Sequence, residues 1–526
     1  MTSTGTRGLR VEGWGGEPVP ERFSMARYCL GVAAANRPDA VGLTVVHDVD
    51  APADEAEHHT FAELDLAARA VGAGLRALGL GRGERVLLRL HGTSAFPIAH
   101  LGAMSAGLVP VPTSAMLTPD EAGFVLADSG ARAVVLADDL QLEVPAGVHV
   151  VRPADLDAWV ADARRNPAAV PDHVDTAADD PAFLVYTSGT TGRPKGVLHA
   201  HRSAWGRRPM RDGWLGIGPD DVMLHAGTLS WTYTLGVGLT DPWAVGARAV
   251  VLDGPRRRDA WDRLVRDHGA TLFAAVPGVY RQWLEATDGP LDLGSLRHGL
   301  AAGEPLAPDL LTAWRQRTGL ELYEAFGMSE ISTFVSAGPA TPVHPGSPGR
   351  AQPGRYVAVL SQDPDDGDDP LPPGTPGLLA LHRSDPGLML GYHRRPDEQD
   401  RVVRGDWFVG GDLVTIETDG YVTFHGRADD ILNAGGFRVS PVEVEHCLAQ
   451  VPGVADVLVT AEEVRDGVSI LVARIVPAEG VERPQDLPDA VLSYAAATLA
   501  RYKQPRRVDL VESLRRTPNG KLVRRG

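Results

Sequence analysis

Cysteine is scarce: Cys29 and Cys447 are the only two in 526 residues. Two thiols so far apart build neither a disulfide framework nor a CxxC zinc pattern. So low a content suits a reducing compartment. Positive charge is short as well, with 51 Lys and Arg against 68 Asp and Glu, a net charge of −17. That balance disfavours a polyanionic partner, nucleic acid included. Small anions stay open, because they need only a local cation. Long apolar runs are missing too. The N-terminus, MTSTGTRGLRVEGWGG, has no apolar stretch of the signal-peptide kind. The longest segment without Asp, Glu, Lys or Arg, Leu90–Pro119, is broken by Pro97, Pro110 and Pro112 and carries His91 and His100. It reads as a buried helix followed by a strand and a turn, not as a membrane span. A cytoplasmic protein with neither nucleic acid nor membrane as partner is expected. No G-X-Y period, internal repeat or GxxxxGK[ST] motif occurs.

What is present is ordinary globular material, 43% hydrophobic and 23% charged, with 59 glycines and 41 prolines for loops. Up to Gly426 helical and strand-like patterns alternate, which argues α/β. Thr60 can cap a helix in which Leu64, Ala67, Ala68, Val71, Leu75 and Leu78 recur at spacings of three and four. Gly79 ends it, and RVLLRL (Arg85–Leu90) follows as a buried strand. A helix near Pro97–Ala106, then LVPVP, a helix opened by Thr118-Pro-Asp-Glu, and ARAVVLA repeat the unit. Such βα units with short crossovers favour parallel pairing. Gly72, Gly74 and Ala77 match GxGxxA, but inside a helix; close helix packing is the better reading than a dinucleotide site. SQDPDDGDDPLPPGTPG (Ser361–Gly377) reads as a solvated acidic turn between strands. LVTIET and YVTFHG flank Asp419-Gly420, a hairpin signal. After Arg427 the style changes to short helices and strands, an α+β domain. The expected organisation is an N-terminal α/β domain over 1–426, itself of several subdomains, a hinge at 427–430, and a mobile C-terminal domain over 431–526.

The sharpest chemical feature is YTSGTTGRPKG (Tyr186–Gly196), after a strand-like AFLVY and before GVLHAHRSAW, expected to be a helix. Hydroxyls and glycines together let a loop offer N–H and O–H donors to phosphates with no Cβ in the way. Lys195 adds a point charge. A flexible linker of the same composition would not carry the ordered TSGTTGxPKG string.

This loop is similar to the signature of the adenylate-forming superfamily, which contains acyl-CoA synthetases, adenylation domains and luciferases. Further segments carry the resemblance along most of the chain. AGEPL (Ala302–Leu306) resembles the family's second nucleotide segment, YEAFGMSE (Tyr323–Glu330) its YGxTE segment, and WFVGGD (Trp407–Asp412) its ribose segment. GRADD (Gly426–Asp430) resembles the hinge, GGFRVSPVEVE (Gly435–Glu445) the start of the C-terminal domain, and TPNGK (Thr517–Lys521) the terminal lysine loop. The chain thus resembles the short- and medium-chain or aromatic acyl-CoA synthetases.

The resemblance implies nucleotide contacts from Thr187, Ser188, Gly189, Thr190, Thr191, Gly192 and Lys195. It adds Gly303, Glu304, Glu324, Ala325, Phe326, Gly327, Met328 and Ser329, then Asp412, Arg427 and Arg438. Lys521, Glu330 and Thr190 are the implied catalytic residues, and Asp429 the hinge. Physical arguments accompany several of these. Glu330 near a triphosphate would be repelled unless Mg²⁺ bridges them; otherwise it is a surface acid at a helix start. Phe326 offers a face to adenine or is plain core. Asp412 can accept both ribose hydroxyls, or be a turn residue. Lys521, among Arg515, Arg516, Arg524 and Arg525, reads from composition as a solvated tail. The family match gives it the carboxylate and α-phosphate, where a fixed cation offsets developing charge. Two departures stand out: Ser329 replaces the usual Thr and keeps the hydroxyl, and Gly410 replaces a Thr and loses one.

HAGTLSWTYTLGVGLTDPW (His225–Trp243) resembles the acyl-binding stretch. Trp231, Thr232 and Tyr233, with Ala302 and Gly327, are expected to line the pocket, core packing being the competing account for the three former. Acetate-using relatives close the pocket with a tryptophan where Gly327 stands, so an acid larger than acetate, aromatic acids included, is expected. Gly435 and Gly436 are expected to line a tunnel for the CoA thiol, where a narrow chain passes close to backbone. The reading is an enzyme using ATP, Mg²⁺ and coenzyme A that turns a small carboxylic acid into an acyl-adenylate and then a thioester. Alternatives are a carrier protein or an amine as acceptor, a non-carboxylate acid such as nitrite, and a nucleotide sensor without catalysis. Retention of Lys195, Glu330, Asp412, Arg427 and Lys521 together argues against the sensor.

Overall fold

A computed structural model describes residues 18–187, 194–428, 432–434, 437–465, 468–499, 501–516 and 522. The chain divides into two compact units. Val11–Tyr356 with His382–Val403 forms the larger, and Val357–Leu381 with Arg404–Gly526 belongs to the other.

The larger unit is built as the βα periodicity predicts. The helix Phe61–Ala77 starts at Thr60, whose hydroxyl accepts from Glu63 N–H while the Glu63 carboxylate accepts from Thr60 N–H, a reciprocal capping box. Thr118 and Glu121 open Pro119–Ser129 in the same way. Leu64, Ala67, Ala68, Val71 and Leu75 of the first helix are all buried. Strands Val109–Thr113, Arg85–Arg89, Ala133–Leu136 and His149–Val151 form one sheet in that order, parallel throughout. The GxGxxA glycines have the packing role expected of them. A Cβ on Gly72 would sit 2.6 Å from the Gly102 carbonyl oxygen, and one on Gly102 2.8 Å from that of Ala68. The uncharged segment is the buried helix Ala95–Ser105 and the strand Val109–Thr113. Among the described residues, no helix is long and apolar enough to cross a membrane.

A second sheet in this unit carries several of the candidate residues. Six strands run parallel, in the order Glu321–Met328, His298–Ala302, Leu272–Ala275, Val222–His225, Arg248–Leu252 and Val41–Val46. Antiparallel strands flank this core, Ser332–Ser336 on one side and Glu57–Thr60 on the other. Register sets Ala302 beside Ala325, Ala301 beside Ala275, and Ala274 beside His225. The carboxyl ends of the strands therefore finish side by side, the edge where open α/β sheets present ligand sites.

One local expectation is overturned. After the Ser/Thr/Gly loop the chain forms a strand, Lys195–Ala200, antiparallel to Pro181–Thr187; helix begins only at Ser203. Six residues carrying Val197, Leu198 and His199 are too few for helical and strand periods to separate. The preceding strand, in hydrogen-bonding reach across the loop, decides the outcome.

In the other unit, Val357–Leu360, Gly377–His382, Trp407–Ile416 and Tyr421–Arg427 lie in that order, the first two and the last two pairing antiparallel. The acidic Ser361–Gly377 segment is an exposed connection between the first two strands. The turn at Asp419-Gly420 is the expected hairpin, with Gly420 at φ +88°. Farther along, Val454–Arg465 pairs antiparallel with Val468–Pro477, which pairs parallel with Arg507–Leu510. Val444, Leu448, Leu471, Ile475 and Val491 fill a core between these strands and the helices Pro441–Leu448 and Leu487–Thr498.

Candidate functional site

The phosphate-loop candidate closes a hairpin. Thr187 and Lys195 face each other in its last ladder pair, with Tyr186 opposite Gly196. Ser188, Gly189, Thr190, Thr191 and Gly192 lie outside the described residues, as do Asp429, Gly435, Gly436, Lys521 and the Arg438 side chain.

Glu330 follows the strand Glu321–Met328 in a tight turn, Ile331 N–H donating to Met328 O at 3.1 Å. Four groups converge on this turn. Tyr392 Oη donates to Glu330 Oε1 at 2.7 Å. Lys195 Nζ stands 3.8 Å from the same oxygen and 3.8 Å over the centre of the Tyr392 ring. Met389 N–H donates to the Glu330 carbonyl at 2.8 Å. His199 Nε2 donates to the Ser329 carbonyl at 2.8 Å. Burial pushes His199 down to about 4, so the imidazole is neutral around neutral pH. A carbonyl can only accept, which assigns the proton to Nε2. The ring stacks on Phe183, 4.7 Å between centroids and 11° between planes.

Just beyond, Ser332 adopts φ +95°, unusual for a residue with a Cβ. The Arg207 guanidinium, bonded to Ser332 Oγ, holds it there. Arg207 also grips both oxygens of Asp241, through Nε at 2.8 Å and Nη2 at 2.5 Å. Burial disfavours the guanidinium charge, and the Asp241 carboxylate more than restores it.

The remaining nucleotide candidates of this unit sit along the same strand ends. Gly303, at φ +98°, turns the chain away from the strand His298–Ala302. Glu304 Oε1 accepts from Gly278 N–H at 2.9 Å, in the first turn of the helix Pro277–Glu285. Glu324 accepts from Leu306 N–H at 3.1 Å, and burial pushes its carboxyl up to about 8, that bond opposing. Ala325 is buried, whereas Phe326 is half-buried, with its ring edge against Phe334 at 5.7 Å. Met328 and Ser329 are likewise half-buried.

The acyl candidates separate. Tyr233 is buried and its hydroxyl donates to Leu300 O at 3.2 Å. Its ring meets His225 edge-on at 4.5 Å and Trp231 at 5.2 Å. Core packing therefore engages Tyr233, while Trp231 and Thr232 stay half-buried. A Cβ on Gly303 would lie 3.0 Å from Trp231 Cη2, so this indole borders the strand end beside Ala302. A Cβ on Gly327 would stand 2.4 Å from Ser332 O and 2.6 Å from Thr333 Cα, so the neighbouring strand's backbone is by itself a reason for the glycine.

In the other unit Asp412 and Arg427 are opposed in register, Arg427 Nη1 3.6 Å from the Asp412 carboxylate. Asp412 is buried. Gly411 before it takes φ +82°, where a Cβ would be 3.2 Å from Arg427 Nη2. Ala428 N–H donates to Gly411 O at 2.8 Å.

Two residues at the Glu330 turn are absent from the sequence reading. Tyr392 lies in a short apolar stretch with no motif, 62 positions from its partner. His199 could have been noticed as a polar residue inside a buried pattern, but its partner is 130 positions away. Among the described residues no group of three or more His, Cys, Asp or Glu could hold a metal.

A family model described as AMP-binding enzyme matches residues 31–393, and one described as AMP-binding enzyme C-terminal domain matches residues 443–521. The chain is similar to a 3-hydroxybenzoate–CoA/4-hydroxybenzoate–CoA ligase of Thauera aromatica, 32% identical over 88% of this chain and 90% of that one. Among solved structures, it is similar to a benzoate CoA ligase from Burkholderia xenovorans LB400, with a TM-score of 0.82, 27% identity, and 95% and 98% of the two chains covered. It is also similar to ATP-bound MatB from Rhodopseudomonas palustris, with a TM-score of 0.83, 26% identity, and 95% and 97% covered.

Proposed function

The chain belongs to the AMP-binding enzyme family, and from that membership we propose that it is an AMP-forming acid–thiol ligase. It joins a carboxylic acid to the α-phosphate of ATP, releases pyrophosphate, and passes the acyl group from AMP to the thiol of coenzyme A. The observation that carries the reading is the meeting of Lys195, Glu330 and Tyr392 at the strand ends, beside the hairpin that bears the Ser/Thr/Gly loop.

The residues divide the work by chemistry. Loop donors and Lys195 take phosphate oxygens. Asp412 accepts from the ribose hydroxyls, and Arg427, already beside it, adds donors to ribose or phosphate. The half-buried Phe326 offers its ring to adenine. Mg²⁺ fits Glu330: a hard cation commonly takes one or two carboxylates and completes its shell with phosphate and water, which agrees with a single acid rather than a cluster. When bound, it would offset phosphate charge. Lys521 supplies a cation to the attacking carboxylate and the α-phosphate. The part of the chain after the hinge residue Asp429 then turns, and Gly435 and Gly436 admit the thiol. One domain thereby serves two half-reactions. A cytoplasmic location, where ATP and coenzyme A are at hand, belongs to this reading; both cysteines are free.

We place the acid among aromatic or similarly large carboxylates. Supporting this are the half-buried Trp231 at the strand end and the benzoate-type substrates in the relatives' names. Acid-dependent pyrophosphate exchange with benzoate, hydroxybenzoates, hexanoate and acetate tests it. Exchange with an aromatic or medium-chain acid, followed by thioester on adding coenzyme A, is expected. Exchange with none of them while ATP still binds would refute the reading. Thioester on a carrier protein but never on coenzyme A would refute the acceptor.

A further inference from the structure

Tyr392 touches both charged residues at the triphosphate end of the site. Its strand, Gly391–Tyr392, pairs antiparallel with Val197–Leu198 of the loop-bearing hairpin. Leu390 N–H to Leu198 O at 2.7 Å and His393 N–H to Gly196 O at 2.8 Å extend that pairing on either side. The side chain is 8% exposed. Its position is therefore fixed by backbone bonds to the hairpin that carries Lys195, while its hydroxyl reaches the turn that carries Glu330.

The two charges hold each other poorly by themselves. At 3.8 Å the largely buried Lys195 and Glu330 side chains stand beyond hydrogen-bond reach, so the pair lacks a charge-assisted bond of its own. The tyrosine contributes what the pair lacks. A hydroxyl donating to a carboxylate at 2.7 Å is a charge-assisted bond, and it restrains the Glu330 carboxyl through Oε1. An ammonium over a ring face at 3.8 Å is within cation–π range, and it gives Lys195 a seat that does not depend on Glu330. The acid can thus turn to a metal-bound phosphate without the lysine losing its support.

We infer that Tyr392 is a positioning residue for the adenylation half-reaction, orienting Glu330 through its hydroxyl and seating Lys195 on its ring. The inference rests on the function proposed above. Each role is removed by a different substitution. Tyr392→Phe keeps the ring and loses the hydroxyl; Tyr392→Leu loses both. Pyrophosphate exchange at varied ATP and Mg²⁺, together with calorimetric ATP binding with and without Mg²⁺, reads them separately.

For Tyr392→Phe, kcat for exchange should fall on the order of tenfold, as for loss of a bond to a charged group. The half-saturating Mg²⁺ should rise, the gain in ATP affinity on adding Mg²⁺ should shrink, and KM for ATP should stay within about twofold of wild type. Tyr392→Leu should add a rise of several-fold, roughly what a cation–π contact supplies, in KM for ATP. In a Glu330→Gln background Tyr392→Phe should cost clearly less, because the amide oxygen still accepts but the charge that strengthens the bond is gone. Wild-type kcat and Mg²⁺ response in Tyr392→Phe, or its full effect persisting beside Glu330→Gln, overturns the hydroxyl role. Equal KM for ATP in the Phe and Leu variants overturns the ring role. A Glu330→Gln enzyme with wild-type exchange overturns the functional reading and this inference together; a Glu330→Gln defect without a Tyr392→Phe defect overturns the inference alone.

Discussion

Glu324 is a carboxyl held where its protonated form is favoured. Burial raises it from an ordinary 4.5 to about 8, so between those values the native chain keeps a proton that the unfolded chain has released. Stability from this group is then lost as pH rises from about 4.5 to about 8, and levels off above. Glu324→Gln keeps the shape without the titration. Its melting temperature should fall less than that of wild type across the window; parallel declines would show that Glu324 does not carry the effect. The neighbouring segment was legible because its chemistry is consecutive: YEAFGMSE names its own roles. Gly327 was legible as a glycine but not in its backbone contact. Only the position of Ser332 and Thr333 in the next strand reveals that a side chain would strike backbone. The parts Tyr392 and His199 play were not legible, since each acts on the Glu330 turn through a tertiary contact.

Helices Phe61–Ala77 and Ala95–Ser105 approach each other so closely that glycine is obligatory. Gly72→Ala puts a methyl 2.6 Å from the Gly102 carbonyl oxygen and should destabilise by about 1–3 kcal/mol, the usual cost of overpacking. Gly123, inside Pro119–Ser129, has nothing within 4 Å of its missing Cβ, so Gly123→Ala should stabilise by about 0.5–1 kcal/mol. Denaturant midpoints of the two variants should move in opposite directions; a shared direction would contradict the packing account. Elements of this kind could be read from the sequence because their signals are local. Thr60 with Glu63, and Thr118 with Glu121, mark helix starts within four residues. The strand Lys195–Ala200 could not, because what makes it a strand is the ladder to Pro181–Thr187, which no window of six residues contains.

At the scale of the whole molecule, the proposed cycle needs Lys521 in one half-reaction only. Lys521→Ala should slow acid-dependent pyrophosphate exchange by about two orders of magnitude, or ~3 kcal/mol, as when other preorganised charge donors are removed. Thioester formation from a supplied acyl-adenylate should continue at the wild-type rate. Loss of both half-reactions, or of neither, would count against a lysine that serves a single pose. The family was legible at this scale because its motifs recur in order along the chain; which acid is taken was not, since the acyl residues are set by packing around Tyr233 and Trp231. The cluster of Lys195, Glu330 and Tyr392 has a consequence for recombination. Lys195, Glu330 and Tyr392 come from three stretches of chain, and 62 positions separate the last two. A breakpoint between them takes the acid from one parent and the phenol that steers it from the other. Where the parents differ at either position, chimeras cut there inherit the motif intact and lose the partnership, so shuffling this chain with a relative calls for breakpoints outside that interval, or for parents that agree at both ends of it.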